Sequence, residues 1–307
     1  MSADLSTPPP QPGAEVALGA DGAVFPRRAW RRRGGSLGAG ASLTFLALLA
    51  AATIVAPRLG LPDPNATDLT RAMLTPAWLS GAGRHAILGT DPLGRDVLSR
   101  LVYGGRISLL VGFSTALIAG VLGIAAGLVS GYYGGFADTV LMSLADVQLG
   151  VPVILLMLGV IAVVGPGVWN LIAVLGITGW VLFARITRSE VLALRATAFV
   201  EVARSTGATH ARVLWKHVLP NVVQSSIVLA TFTVPQMILT EAALSFLGLG
   251  VQPPTATWGS MIADGRRYLL VGVWWPTFFP GVMLFGTVMS INLVGDWLRL
   301  RLDPRSR

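Results

Sequence analysis

Glu201-Val-Ala-Arg-Ser-Thr-Gly-Ala-Thr-His-Ala-Arg-Val-Leu-Trp-Lys-His-Val-Leu-Pro220 is the stretch on which the fold turns. With the residues just before it, positions 188–220 carry Arg188, Glu190, Arg195, Glu201, Arg204, Arg212, Lys216 and His217. That density of ionisable groups does not sit in hydrocarbon. The stretch is nevertheless periodic: Val191, Leu192, Leu194, Phe199, Val200 and Ala203 form an apolar stripe at helical spacing. Gly207 interrupts it at a position suited to positive φ. Thr209 is a cap for a second short helix, about 208–216, which Pro220 is expected to end. Glu201 and Arg204 are spaced to pair on one face, a contact worth about 0.2–0.5 kcal/mol. The segment reads as helix, glycine turn, short helix, proline stop.

It is set among membrane spans. The 307 residues are 53% hydrophobic and 12% charged, with a mean hydropathy of +0.67. Soluble domains carry roughly 25% charged residues, so this chain has too little polar surface to coat itself in water. Six runs are long and apolar enough to cross a bilayer: 38–57, 107–131, 139–163, 168–187, 222–245 and 274–297. Gly165-Pro-Gly167 separates the third from the fourth. The absence of cysteine removes disulfides, thiolate metal sites and cysteine nucleophiles.

The net charge of +8 comes from 23 basic residues, all arginine except Lys216. They cluster at the ends of the apolar runs, which points to membrane topology rather than nucleic-acid binding. Arg27, Arg28, Arg31, Arg32 and Arg33 precede the first run. Arg185, Arg188, Arg195, Arg204, Arg212 and Lys216 lie between the fourth and fifth. Arg299, Arg301, Arg305 and Arg307 follow the sixth. With both termini cytoplasmic, 15 of the 23 lie inside. The expectation is therefore an all-α integral membrane protein with six transmembrane helices and cytoplasmic ends. Its parts are a disordered, Pro- and Ala-rich tail with a basic cluster (1–36), a first membrane helix and extracytoplasmic segment (37–106), a five-helix core (107–298) carrying the loop 188–220, and a C-terminal tail (299–307).

The pattern Glu-x-Ala-x3-Gly, nine residues, then two more and Leu-Pro resembles the EAA loop of permease subunits in binding-protein-dependent ABC importers. Glu201, Ala203, Gly207, Leu219 and Pro220 carry the match, and Val202 stands where the family has its first Ala. The resemblance implies the type I permease fold and a coupling helix bearing Ala208, Thr209 and Arg212, which docks on a cytoplasmic ATPase and transmits its movements. Glu241-Ala-Ala243 also spells the motif, but its glycine, Gly248, comes one position late and no Leu-Pro follows.

Three further segments resemble the dipeptide, oligopeptide and nickel permeases. They are Leu88-Gly-Thr-Asp-Pro-Leu-Gly-Arg-Asp-Val-Leu-Ser-Arg100, Leu244-Ser-Phe-Leu-Gly-Leu-Gly-Val-Gln-Pro-Pro254 with Trp258-Gly259, and Asn292-Leu-Val-Gly-Asp296 with Leu302-Asp-Pro-Arg305. Trp297 and Leu300 depart from that pattern. In this branch two related permeases pair, and these segments are similar to the second. The implied partners are a second permease, one or two ATP-binding subunits, an extracytoplasmic solute-binding protein and the bilayer of a bacterial inner membrane. ATP and magnesium would be used by the partner subunits, since the chain lacks Gly-x4-Gly-Lys-Ser/Thr. The cargo implied is short peptides, with nickel chelates, glutathione or another small solute as alternatives.

Within those segments Asp91 is an Asx-turn former. Gln252-Pro-Pro254 is expected to be extended, and Trp258, Trp274 and Trp275 suit the membrane interface. A stand-alone secondary transporter would show central ionisable residues or repeated halves, but Asp138, Asp146 and Glu241 lie at or near span ends. A membrane enzyme would need a constellation that His85, His210 and His217 do not supply. No catalytic, metal-binding or substrate-binding residue is assigned.

Overall fold

The computed structural model describes residues 16–18, 24–26, 31–58, 60–80 and 86–302. Within the stretch expected to be a disordered tail, β1 (Val16–Leu18) and β2 (Val24–Pro26) pair antiparallel. All other regular elements among the described residues are helical. They are α1 (Arg31–Val55), α2 (Ala77–Ser80), α3 (Val97–Tyr133), α4 (Gly135–Leu149), α5 (Val153–Val164), α6 (Val168–Thr178), α7 (Trp180–Arg195), α8 (Ala198–Ser205), α9 (His210–Val213), α10 (Leu219–Phe246), α11 (Trp258–Gly265) and α12 (Trp275–Leu302).

α3 is the axis of the bundle. Its 37 residues, about 55 Å at helical rise, carry small residues on the face turned to α6 and α7. Gly176 lies against Ile118, Gly123 against Phe183, Gly127 against Thr187 and Gly131 against Val191. Both helices count upward along this row, so α3 and α6–α7 run parallel. Small residues permit this approach, which in lipid is held by dispersion contacts rather than by a hydrophobic force.

Parallel neighbours oblige the chain to return between them. Val168 is level with about residue 110 of α3, so the connection climbs roughly 35 Å, the span of a hydrocarbon core. The run expected as one span, 139–163, does this as a broken one: α4 and α5 meet at 92°. The break falls at Gly150-Val-Pro152, where proline cannot supply the next backbone donor. α4 descends α7, pairing Asp138 with Arg188 and Asp146 with Arg185. At the elbow Gln148 Nε2 donates to Thr178 O (2.6 Å) and Trp180 Nε1 donates to Gln148 Oε1 (2.9 Å). One amide thus spans the break between α6 and α7 and fixes the bend beside it. Five helices are long and apolar enough to cross alone, and the bent pair, counted as one span, brings the number to six.

α10 runs antiparallel to α3, with Ile238 against Gly112 and Val222 clustered with Tyr132. α12 and α1 close the bundle, with Thr231 against Gly295 and Phe45 against Gly286. Thr53 and Trp258 both approach Gly105, while Thr277 meets Gly265. The start of α1 and the end of α12 therefore point toward the Tyr132 end, and α11 lies at the other, the Trp258 end.

At the Trp258 end the sequence expectations are partly corrected. Asp91 does close an Asx turn: its Oδ1 accepts from Leu93 N (2.9 Å) and Arg95 N (3.0 Å). Asp96 caps α3, accepting from Ser99 N at 2.7 Å, which starts the helix ten residues before the expected span. Trp258 and Trp275 are not interfacial anchors but buried latches. Trp258 Nε1 donates to Leu101 O (3.0 Å) and Trp275 Nε1 to Thr90 O (2.9 Å), tying distant segments to α3 and the turn before it. Gln252-Pro-Pro254 is a turn, not an extended strand. Its Pro253–Pro254 peptide is cis, and Gln252 Nε2 donates back to Gly248 O (3.0 Å), an acceptor left over beyond the end of α10.

The glycine row predicts a graded response. A Cβ at Gly127 would lie 2.6 Å from Ala184 O and 2.5 Å from Thr187 Cβ, whereas one at Gly120 meets nothing nearer than 3.6 Å. Gly127→Ala should destabilise the protein by about 1–3 kcal/mol, and Gly120→Ala should be neutral or stabilise by up to about 1 kcal/mol. Unfolding followed by circular dichroism in detergent measures the difference.

Candidate functional site

The segment between α7 and α10 folds over the end of α3. Val191 of α7, Val200 of α8, Val213 of α9, Val218 and Val222 are buried together with Tyr132, and Leu194, Ala208 and Leu214 pack on them. The apolar stripe read from sequence therefore buries Val191 and Val200, while Leu192 is exposed. Polar contacts fix the same corner. Arg195 Nη1 donates to Tyr132 O at 3.1 Å, and Tyr132 Oη is hydrogen-bonded to His210 Nδ1 at 3.0 Å. Arg188 holds Asp138 with two bonds, 2.5 and 2.6 Å, and Ser130 Oγ donates to the same carboxylate at 2.6 Å. Such bidentate pairing fixes geometry as well as charge, and here it ties α7 and α4 to the last turn of α3.

Of the residues singled out in the sequence, Gly207, Ala208, Thr209, Arg212, Leu219 and Pro220 are brought to this corner. Gly207 has φ +85°, and α8 ends just before it. Thr209 caps α9, accepting from Arg212 N at 3.4 Å. Ala208 faces the buried cluster, Leu219 is half-buried, and Arg212 and Pro220 are exposed. Glu201 and Ala203 are placed on α8, but their side chains, with that of Arg204, lie outside the described residues. The Glu201–Arg204 pair therefore cannot be placed. His85 and Arg305 also lie outside.

One expectation is overturned. Pro220 does not stop a short helix. The chain is helical without interruption from His210 to Phe246, through a π turn at Leu214–Val218. Pro220 follows directly on the π turn, at the start of α10. The π turn shifts the bonding so that Leu219 N donates to Leu214 O. Asn221 Nδ2 donates to His217 O at 2.7 Å, adding a side-chain bond at the same turn. The element expected as a separate helix, 208–216, is the first part of a 37-residue rod.

Sequence reading placed Arg188, Arg195 and His210 in the segment without their partners, and missed Tyr132 and Asp138 as parts of the site. The paired tyrosines of Gly131-Tyr-Tyr-Gly-Gly135 were the available signal: aromatic residues at the last turn of a long apolar helix have something to pack on. Outward, the corner presents Val202 and Trp215, 61% and 72% exposed. Glu241 is at the opposite end of α10, fully buried, with Ser245 Oγ donating to it at 2.7 Å. This agrees with setting the second Glu-Ala-Ala aside. Among the described residues no cluster of His, Cys, Asp and Glu could hold a metal.

Gly207 makes the corner testable without disturbing packing, because a Cβ there would meet nothing within 4 Å. The cost of substitution is conformational alone. Gly207→Asn, which tolerates left-handed backbone, should lose less than about 1 kcal/mol, and Gly207→Val about 1–3 kcal/mol. Thermal unfolding, with limited proteolysis between α8 and α9, distinguishes the two.

Comparison with known proteins follows this geometry. Residues 123–307 match the family model described as binding-protein-dependent transport system inner membrane component. The chain is 38% identical over 276 residues to the di/tripeptide transport system permease protein DppC of Pseudomonas aeruginosa, covering 90% of this chain and 91% of that protein. It is 40% identical to the dipeptide permease DppC of Bacillus subtilis (92% and 87% covered) and 38% identical to that organism's oligopeptide permease OppC (86% and 85%). In fold it resembles the MetNI methionine ABC transporter in an inward facing conformation, with a TM-score of 0.53 at 21% identity over 66% of this chain and 96% of the other. On the strength of the family match and of these long alignments, the chain belongs to the inner membrane components of binding-protein-dependent transport systems.

Proposed function

We propose that this chain is a non-catalytic permease subunit of an ATP-driven importer. It forms half of a translocation pathway for dipeptides or oligopeptides delivered by an extracytoplasmic binding protein. The observation that carries the reading is the corner at the Tyr132 end. A soluble partner pressing on Val202, Trp215 and the Gly207 turn pushes on a rod that continues as α10. Through the buried valine cluster it also pushes on α3 and α7. Three crossing elements thus respond to one contact, which is what a coupling device requires. Glu201, Ala203, Gly207, Ala208, Thr209, Arg212, Leu219 and Pro220 make up this coupling segment, with Glu201 in a structural role.

The Tyr132 end is assigned to the cytoplasm, because the start of α1, the segment between α7 and α10 and the end of α12 lie there, each carries basic residues in its sequence, and positive charge favours that side. ATP and magnesium belong to the partner ATPases, one or two in kind, and a second permease completes the pathway. Peptides are the proposed cargo because the long relatives are described as di/tripeptide, dipeptide and oligopeptide permeases. A nickel chelate, glutathione or another small solute is the alternative.

Tagged protein extracted in mild detergent should bring with it a second permease and one or two ATPases, identified by mass spectrometry. Gly207→Val should assemble yet lose most ATPase stimulation by the binding protein. Purification of the chain alone, with transport in liposomes that needs no ATP, would replace this reading with a secondary transporter.

A further inference from the structure

At the Trp258 end a cavity of about 480 Å³ opens between the turn at Pro92 and the segment from Ser245 to Tyr268. Four arginines line it: Arg95, Arg100, Arg266 and Arg267. Arg95 and Arg100 form its floor, their side chains only 6% and 3% exposed. Arg266 and Arg267 are exposed at the rim, and the Arg266 guanidinium is steadied 4.0 Å above the Phe246 ring. Against them stand two acids. Asp91 is buried beneath, bonded to Arg95 Nε at 2.6 Å and 3.6 Å from Arg100 Nε. Asp264 is 48% exposed and approaches Arg95 and Arg100 only to 3.6 and 4.0 Å.

A guanidinium carries five N–H donors. Among the described residues, hydrogen bonds engage Nε of Arg95 and, at 3.4 Å to Pro64 O, Nη1 of Arg100. The guanidinium nitrogens without a protein partner are not among the buried unpartnered atoms, so they reach the cavity and can be taken there by a ligand. They suit a planar anion that takes two parallel N–H bonds. Asp264 stands where such an anion would lie, too far to bond either arginine well, and its exposure leaves it free to swing out.

We propose that this cavity receives a carboxylate, the C-terminal carboxylate of the peptide being carried. Arg95 and Arg100 grip it, Arg266 and Arg267 attract it, and Asp264 holds its place in the empty state. This rests on the peptide-importer reading and adds to it a site on the permease itself. The volume lies within the range of small-ligand sites, roughly 300–1,000 Å³. The location, beside the segment that connects α10 to α12, puts the site at the end of the bundle opposite the Tyr132 corner.

The test uses the assembled permease–ATPase complex in nanodiscs without its binding protein, with radiolabelled alanyl-alanine and its C-terminal amide as probes. The acid should bind at least about tenfold more tightly than the amide. Replacing Arg266 and Arg267 together by Gln should weaken the acid about tenfold, and Asp264→Asn should strengthen it several-fold, whereas the amide, which carries only its ammonium, should not be weakened by the first or strengthened by the second. These positions are exposed, so folding is not at stake. Equal binding of acid and amide, or an acid affinity unmoved by the three substitutions, overturns the site. If dipeptide uptake through the binding protein proceeds while the complex alone binds no dipeptide, the site falls and the importer reading survives. If no peptide is imported but succinate binds with the same arginine dependence, the site stands and the peptide cargo falls. If the substitutions change only stimulation by the binding protein, the arginines serve docking and the proposal is overturned.

Discussion

The parallel packing of α3 against α6 and α7 is the constraint from which the other features follow. Gly123, Gly127 and Gly131 bring the helices to backbone contact over about two turns, and in lipid that closeness is what gives dispersion forces enough atoms to act on. Because the two helices run in the same direction, the chain between them has to cross back. It does so with two short helices at 92°, each too short to span alone. The elbow is not a defect of an otherwise straight span. Gln148 bonds both sides of the break between α6 and α7, donating to the Thr178 carbonyl and accepting from the Trp180 indole, so a side chain at one irregularity holds the other at the same level of the bundle.

The same row of contacts delivers α7 and the end of α3 to one corner, where α8 and α9 complete a small apolar core of valines around Tyr132. Around it the polar contacts are short-range and specific: Arg188 with Asp138, Arg195 with the Tyr132 carbonyl, His210 with the Tyr132 hydroxyl. This corner cannot move without α3, α4, α7 or α10 moving as well. The π turn at Leu214–Val218 lets that connection run through Pro220 without breaking the helix. A rigid rod carries displacement along its length, where a hinged short helix would absorb it.

The opposite end is built differently. There the anchors are indole N–H groups that bond backbone carbonyls, Trp258 to Leu101 and Trp275 to Thr90, and buried arginines gathered around Asp91. Hydrogen bonds to carbonyls and shared charges tolerate few alternative arrangements, so this end is held by directional forces and the middle of the bundle by close packing. The basic cavity is a product of that difference, because guanidiniums brought in to hold the Asp91 turn also face outward.

The sequence by itself determined the class of the protein and where the charged helix–glycine–helix segment interrupts its apolar runs. Hydropathy and charge position depend on composition along the chain, so the apolar runs, the helix–glycine–helix order of 188–220, the positive φ at Gly207, the Thr209 cap and the Asx turn at Asp91 were all legible from local chemistry. What only the tertiary structure decided was whatever depends on a neighbour distant in sequence. The break between α4 and α5 has a local signal in Gly150 and Pro152, but the return of the chain between two parallel helices follows from their packing, which no local pattern encodes. Pro220 read as a stop because the proline rule is local, but the π turn before it and the bond from Asn221 to His217 accommodate it. Trp258 and Trp275 read as interface residues because amphipathic rings favour that place, yet carbonyls of Leu101 and Thr90, over 150 residues away, claimed their N–H groups. Arg95 and Arg100 lie in a segment distant in sequence from Arg266 and Arg267. They became one wall of one cavity because the turn at Asp91 packs against α11, a contact made by folding alone.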